Sequence, residues 1–210
     1  MIRVLIADDH ALIREGLRKV FRRERDIEVI AEATNAADAV NHVREQPLDV
    51  AILDFSMPGR TGLDALRQIR ELKPRLPVLI LSVMPERDLA LRVFKAGAAG
   101  FISKDSLADE IVSAVRCVAG GKKYVSMAAA EQLAAGIGAP ADSARHDALS
   151  DREFQILRLI AAGKGTRPIA EELSLSINTI ATYRRRIYAK LGLRSDVEIT
   201  RYVIERQLGD

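Results

Sequence analysis

Five short runs rich in aliphatic and β-branched residues, each followed by a stretch with helical spacing, restrict what the first 120 residues can become. The runs are Arg3–Ala7, Ile27–Ala33, Val50–Asp54, Val78–Ser82 and Gly100–Ser103. The helical stretches lie near 11–23, 36–45, 62–73, 87–96 and 107–119. Strands joined through a helix run parallel, and right-handed crossovers then cover both faces of one sheet. The expected fold is α/β: a doubly wound, five-stranded parallel sheet, flavodoxin-like, with strand order 2-1-3-4-5.

At 210 residues the chain has room for a second domain. Residues 148–210 carry helical patterning without a strand signal, so a smaller all-α domain is expected there. Between the two, Ser126–Ala135 is a candidate short helix and 136–143 reads as an exposed linker. The expected division is 1–121, a linker over 122–147, and 148–210. No apolar run reaches membrane-spanning length. The apolar start, Met1–Ala7, is followed at once by acids and is too short for a signal peptide. The single cysteine, Cys117, excludes an internal disulfide and a multi-cysteine metal site. A cytoplasmic protein with no membrane partner is expected.

In a sheet of this order, ligands sit beyond the carboxyl ends of strands 1 and 3, where the winding reverses. Strand 1 ends in Asp8-Asp9 and strand 3 in Asp54, so three carboxylates converge. Uncompensated, they would repel one another and hold a proton. A hard divalent cation, Mg²⁺ (or Mn²⁺), relieves that conflict with oxygen ligands and retained water. Asp9 is expected to bind it directly, Asp8 through water, with Asp54 and the backbone carbonyl of Ser56 completing the set. Strands 4 and 5 bring Ser82 and Lys104, a hydroxyl and an ammonium suited to phosphoryl oxygens. Since carboxylates form aspartyl phosphates, Asp54 is assigned as phosphoacceptor. Each residue alone is ordinary, because a strand-terminal Asp is commonly a cap or turn former. The assignment rests on the constellation.

The net charge of +3 decides little, but no acid occurs from Leu173 to Ser195, where Arg184, Arg185, Arg186, Lys190 and Arg194 cluster. Such a cluster suits a phosphate backbone, although a solvated helix face would look similar. Ser150 and Glu153 have capping-box spacing at the start of one helix. Thr166 is expected to cap a second, Arg167–Leu173, and Ser176 a third running to about Leu191. On the third, Ile177, Ile180, Ile187 and Leu191 form an apolar stripe, and Asn178, Ala181, Thr182, Arg185 and Ala189 lie opposite. A helix pinned by one stripe is able to lay the other in a major groove. Arg184, close to the apolar stripe, is expected to snorkel toward phosphates.

These residues carry a resemblance. Asp8-Asp9, Asp54-Phe-Ser-Met-Pro-Gly with Gly62, Ser82 and Phe101-Ile-Ser-Lys104 are similar to a response-regulator receiver domain. Leu149-Ser-Asp-Arg-Glu153, Ile169-Ala170, Leu173-Ser-Leu-Ser176 and the run from Thr179 to Gly192 resemble the LuxR-type helix-turn-helix. Apart from the linker, the whole chain resembles the NarL/FixJ family of response regulators, most of all its GacA/UvrY/BvgA branch. The resemblance implies a Ser82–Phe101 switch pair, the hydroxyl turning toward the phosphoryl group and the ring moving inward, and a sensor histidine kinase as partner. It also implies double-stranded promoter DNA as a ligand and dimer contacts through a final helix near Asp196–Arg206. By the same resemblance Ala181, Thr182 and Arg185 read bases, while Thr179 and Lys190 contact phosphates. The chain departs from the family's pattern at Val83 and Asp105, where Ala and Pro are frequent, and at Ala181 and Tyr183, where Lys and His are.

Two other functions share parts of this equipment. An aspartyl-phosphate enzyme would need a second acid two positions beyond Asp54, and residues 55–57 supply none. A phosphate-independent interaction module would not need Asp8, Asp9, Asp54 and Lys104 together. The sequence therefore reads as a transcription regulator, expected to homodimerise when phosphorylated. Its only catalysis would be phosphotransfer to, and hydrolysis from, its own aspartate.

Overall fold

The structure is a computed structural model that describes residues 1–58, 60–83, 86–106, 108–126, 130, 145–206 and 208. The chain divides into two compact units, Met1–Ile137 and Gly138–Asp210.

In the first unit the strands are β1 (Ile2–Ala7), β2 (Ile27–Ala33), β3 (Val50–Asp54), β4 (Val78–Ser82) and β5 (Gly100–Ser103). They pair parallel in the order β2-β1-β3-β4-β5, as the alternation predicts. The helices are α1 (Ala11–Phe21), α2 (Ala36–Glu45), α3 (Gly62–Leu72), α4 (Glu86–Lys95) and α5 (Ala108–Ala119). β3 and β4 are buried along their whole length, which requires cover on both faces. Leu17 and Phe21 of α1 and Val112 and Val115 of α5 close over Val4, Ile6, Ile52 and Leu81. Burying one such side chain contributes about 1.5–3 kcal/mol. At the opposite end from the carboxylate cluster, the Arg3 guanidinium grips Asp49 through two nitrogens, at 2.8 and 2.9 Å. That contact joins the starts of β1 and β3 and holds the Asp49 carboxyl down to about 2.

The candidate helix Ser126–Ala135 and the linker 136–143 lie largely outside the described residues. The chain leaving α5 is tied back to the sheet: Tyr124 N–H donates to the Ala99 carbonyl at 2.9 Å. Tyr124 also bridges to Gly100.

In the second unit a 3₁₀ turn (Arg145–Ala148) precedes α6 (Asp151–Ala161), α7 (Thr166–Glu172), α8 (Ile177–Leu191) and α9 (Asp196–Glu205). Both halves of the Ser150–Glu153 capping box form, and the Ser176 hydroxyl caps α8 by accepting from Thr179 N–H. Thr166 does not cap α7. Gly165 takes the extended cap position, without a side-chain bond, and Thr166 is the first helical residue. Ile180, Ile187 and Leu191 are fully buried, whereas Ile177, expected on the same stripe, is 48% exposed. It stands in the first turn of α8, where the core ends. Ser195 caps α9 through Glu198 N–H.

A Cβ added at Gly100 would meet Leu79 Cδ2 and Tyr124 O at 2.8 Å and Tyr124 Cβ at 2.9 Å. Gly100→Ala is therefore expected to destabilise the first unit by about 1–3 kcal/mol. Urea unfolding checks this, the expected result being a lower midpoint than that of the parent.

Candidate functional site

Because β1 and β3 are neighbours whose crossovers leave on opposite sides, their carboxyl ends open onto one cleft. Asp8 is fully buried, Asp54 is 1% exposed, and Asp9, one residue further out, is half-buried. Gly62 opens α3 behind them, and a Cβ there would stand 2.2 Å from the Asp54 carbonyl oxygen. Only glycine lets the helix start so close to the strand end.

Lys104, in the turn after β5, reaches across the sheet. Its ammonium stands 2.8 Å from Asp8 Oδ2 and 2.9 Å from Asp54 Oδ2, with its side chain 7% exposed. One positive charge thus faces two buried negative ones. Burial, the largest influence, and the neighbouring charge of Asp8 push the Asp54 carboxyl up to about 6, against the opposing effect of Lys104. Burial works to lower Lys104 as well, but Asp54 and Asp8 outweigh it and hold the ammonium above its ordinary value. The Lys104 shift reflects a site with more carboxylate than cation, and at Asp54 that imbalance adds to burial.

The donor set fits a divalent cation. Ligand atoms of Asp8, Asp9, His10 and Asp54 all lie within 4.8 Å of one another. Asp8 Oδ2, Asp9 Oδ1 and Asp54 Oδ2 accept no well-aligned hydrogen bond, although Lys104 lies at ion-pair distance from two of them. Such oxygens suit a hard cation. Ser56 follows in the loop, half-buried, and its N–H donates to Asp54 Oδ1 at 3.1 Å. Ser82 is buried at the end of β4, in register with Ser103, and its carbonyl accepts from Lys104 N–H. Phe101 is 1% exposed, its ring held inside. Val83 points out at 67% exposure. No cis peptide occurs among the described residues, Asp105 included.

Two contributors escaped the sequence reading. His10 Nδ1 lies 2.9 Å from Asp9 Oδ1 and 3.1 Å from Asp8 Oδ1, and its place directly after Asp9 was the available signal. Arg14, one turn into α1, donates to the Asp8 carbonyl at 2.8 Å and stands 3.4 Å from Glu32. Its helical spacing from Asp8 carries no hint of that bond.

On α8 of the second unit, Ala181 and Arg185 are exposed, and Thr179 and Thr182 are half-buried. The Thr182 hydroxyl donates to the Asn178 carbonyl, and the Thr179 hydroxyl shares a hydrogen bond with Ser176. The two expected phosphate-binding cations at the flanks are engaged within the unit. Arg184 pairs with Asp196 and also touches the Tyr188 hydroxyl. Lys190 donates to Glu153 Oε2 at 2.6 Å, the same oxygen that accepts Ser150 N–H. Glu153 is only 2% exposed; burial would raise its carboxyl, but Lys190 and Ser150 bring it below the ordinary value.

The family model described as "Response regulator receiver domain" matches residues 4–116, and "Bacterial regulatory proteins, luxR family" matches 147–203. The chain is 39% identical over 209 residues to "Response regulator UvrY" of Escherichia coli, covering 99% of this chain and 96% of the relative. To "Response regulator GacA" of Pseudomonas aeruginosa it is 36% identical over 211 residues, covering 100% and 99%. Among solved structures, RcsB of Salmonella enterica serovar Typhimurium, bound to a promoter in the presence of phosphomimetic BeF3-, is similar at 26% identity. Its TM-score is 0.59, with 96% of this chain and 97% of that one covered. A LuxR-family two-component response regulator from Aurantimonas sp. gives 32% identity and a TM-score of 0.60 over 64% of this chain and 96% of that one.

The raised carboxyl of Asp54 has a consequence for stability. The folded chain holds the Asp54 proton up to about pH 6 and the unfolded chain only to about pH 4, so stability falls as pH rises through that window. Asp54→Asn, in the presence of a chelator, is expected to exceed the parent by about 1–3 kcal/mol near neutrality. The gap should shrink toward zero by about pH 4 in urea titrations run across this range.

Proposed function

The chain belongs to the response regulators that join a receiver domain to a LuxR-type DNA-binding domain, and from that premise we propose that Asp54 is its phosphoacceptor. The observation that carries the assignment is that Asp54 shares the Lys104 ammonium with Asp8, beside Asp9, at the strand ends. As in its relatives, the output is DNA binding and control of transcription. The receiver takes residues 1–121, a linker 122–147 and the DNA-binding domain 148–210, a division supported by family matches that end at 116 and begin again at 147.

The phosphoryl donor is a sensor histidine kinase. An Asp54 carboxylate oxygen attacks phosphorus, the phosphorus–nitrogen bond to the kinase imidazole breaks, and that imidazole leaves and takes up a proton. With its carboxyl near 6, Asp54 is mostly ionised at neutral pH and ready as nucleophile. Asp8, Asp9, Asp54 and the Ser56 carbonyl would hold Mg²⁺ (or Mn²⁺), and the cation would supply positive charge against their repulsion and that of the phosphoryl oxygens. Lys104 then turns from the carboxylates toward a phosphoryl oxygen. The Ser82 hydroxyl follows, and the Phe101 ring, which the switch pair would move inward, already lies inside in this structure. Hydrolysis of the aspartyl phosphate is the only other reaction, so the protein is a regulator rather than an enzyme for an external substrate.

Phosphorylation promotes homodimerisation, which doubles a recognition helix that alone reads only a few base pairs. RcsB, solved bound to a promoter in the presence of a phosphomimetic, supports by likeness the link between phosphorylation and DNA binding. Ala181, Thr182 and Arg185 face the bases, and Thr179 the backbone. Arg184 and Lys190 reach phosphates from the flanks by exchanging their carboxylate partners. The setting is the cytoplasm; among the described residues no helix is long and apolar enough to cross a membrane.

Acetyl phosphate is expected to add one base-labile phosphate by mass, abolished by Asp54→Asn and by a chelator. Equal labelling of Asp54→Asn would overturn the site. Arg185→Ala is expected to cost about 1–3 kcal/mol on a selected operator and to relax preference at one base pair. A uniform loss on every sequence would remove Arg185 from base reading. Sedimentation with and without beryllofluoride checks dimerisation, the expected shift being from monomer to dimer.

A further inference from the structure

Two of the four cations on α8 are committed inside the unit, Arg184 to Asp196 and Lys190 to Glu153. Arg185 and Arg186 are exposed, and among the described residues neither meets a carboxylate. Arg185 faces the bases in the reading above, and Arg186 has no role in it. Arg186 is nonetheless placed: its guanidinium lies 5.9 Å from the ring centroid of Tyr183, a half-buried residue one turn earlier. At about 3.6 residues per turn, Arg186 also falls in line with Thr179, roughly two turns before it. That line runs along the flank of the face formed by Asn178, Thr182 and Arg185. A flank of a groove-bound helix meets the sugar-phosphate wall rather than base edges.

We propose that Arg186, held against the Tyr183 ring, is the principal phosphate anchor of the recognition helix, with Thr179 on the same wall. The inference rests on the DNA-binding reading of this domain. A guanidinium lying over a ring face through a cation–π contact still has N–H groups to donate to a phosphate. The ring contact also limits the side chain's rotamers before DNA arrives, which lowers the ordering cost of binding. Among the described residues Arg186 has no carboxylate pair to break, whereas withdrawing Lys190 leaves the buried Glu153 charge without its cation.

The test uses the full chain with beryllofluoride and measures binding to a random-sequence duplex across a salt series. Arg186→Ala is expected to reduce the slope of log K against log salt by about one, with base preference on a selected operator unchanged. Tyr183→Leu is expected to weaken binding roughly two- to five-fold, Tyr183→Phe to match the parent, and Tyr183→Leu to cost nothing further beside Arg186→Ala. An unchanged slope for Arg186→Ala, while the parent binds, overturns the anchor and leaves the DNA-binding reading standing. Additive losses in the double variant overturn the part given to Tyr183. A parent that binds no duplex, selected or random, overturns both readings.

Discussion

Two carboxylates, Asp8 and Asp54, are held out of water with one ammonium between them, and the rest of the receiver is arranged around that imbalance. Lys104 comes from the far end of the sheet to lie within 3 Å of both. It reaches them because β4 and β5 bring its turn level with the ends of β1 and β3. The strand order, the glycine that lets α3 begin against Asp54 and the Arg14 bond to the Asp8 carbonyl all fix where the negative charges stand. A buried site with excess negative charge favours a cation that completes it.

The DNA-binding domain uses the same physics with the opposite sign. Its recognition helix carries a surplus of cations, and two nearby carboxylates from other helices neutralise part of it. Asp196 belongs to α9 and Glu153 to α6, so the helix is held by charge from both sides as well as by Ile180, Ile187 and Leu191 beneath. What remains uncommitted, Arg185 and Arg186, lies on the outward face and its flank. The orientation of the reader is therefore set inside the domain, before any DNA is present.

The sheet was legible because parallel strands joined through helices leave a strong periodic signal, and the site because its carboxylates stand at strand ends. Capping was legible where serine meets a glutamate or threonine N–H three residues on, as at Ser150 and Ser176. It failed at Thr166, where the preceding glycine takes the extended cap conformation and leaves the threonine inside the helix. Ile177 was misplaced because periodicity continues to the end of a helix while the core does not. Periodicity also gave angles for Arg184 and Lys190 without their partners, since Asp196 and Glu153 lie 12 and 37 residues away in the chain. His10 went unnoticed because a histidine after two aspartates carries no spacing to weigh.

Glu153 does two jobs with one oxygen: it closes the capping box that starts α6 and it receives the Lys190 ammonium from α8. The recognition helix is therefore not uniformly open to inherited change. Among the described residues Ala181, Thr182 and Arg185 make no ion pair, so change at these positions strands no charge. Position 190 is paired with position 153, and loss of the cation there leaves a buried acid with only the Ser150 N–H at that oxygen unless its partner changes too. Lineages carrying this domain should diversify along the outward face while these two positions, far apart in sequence, drift only as a pair.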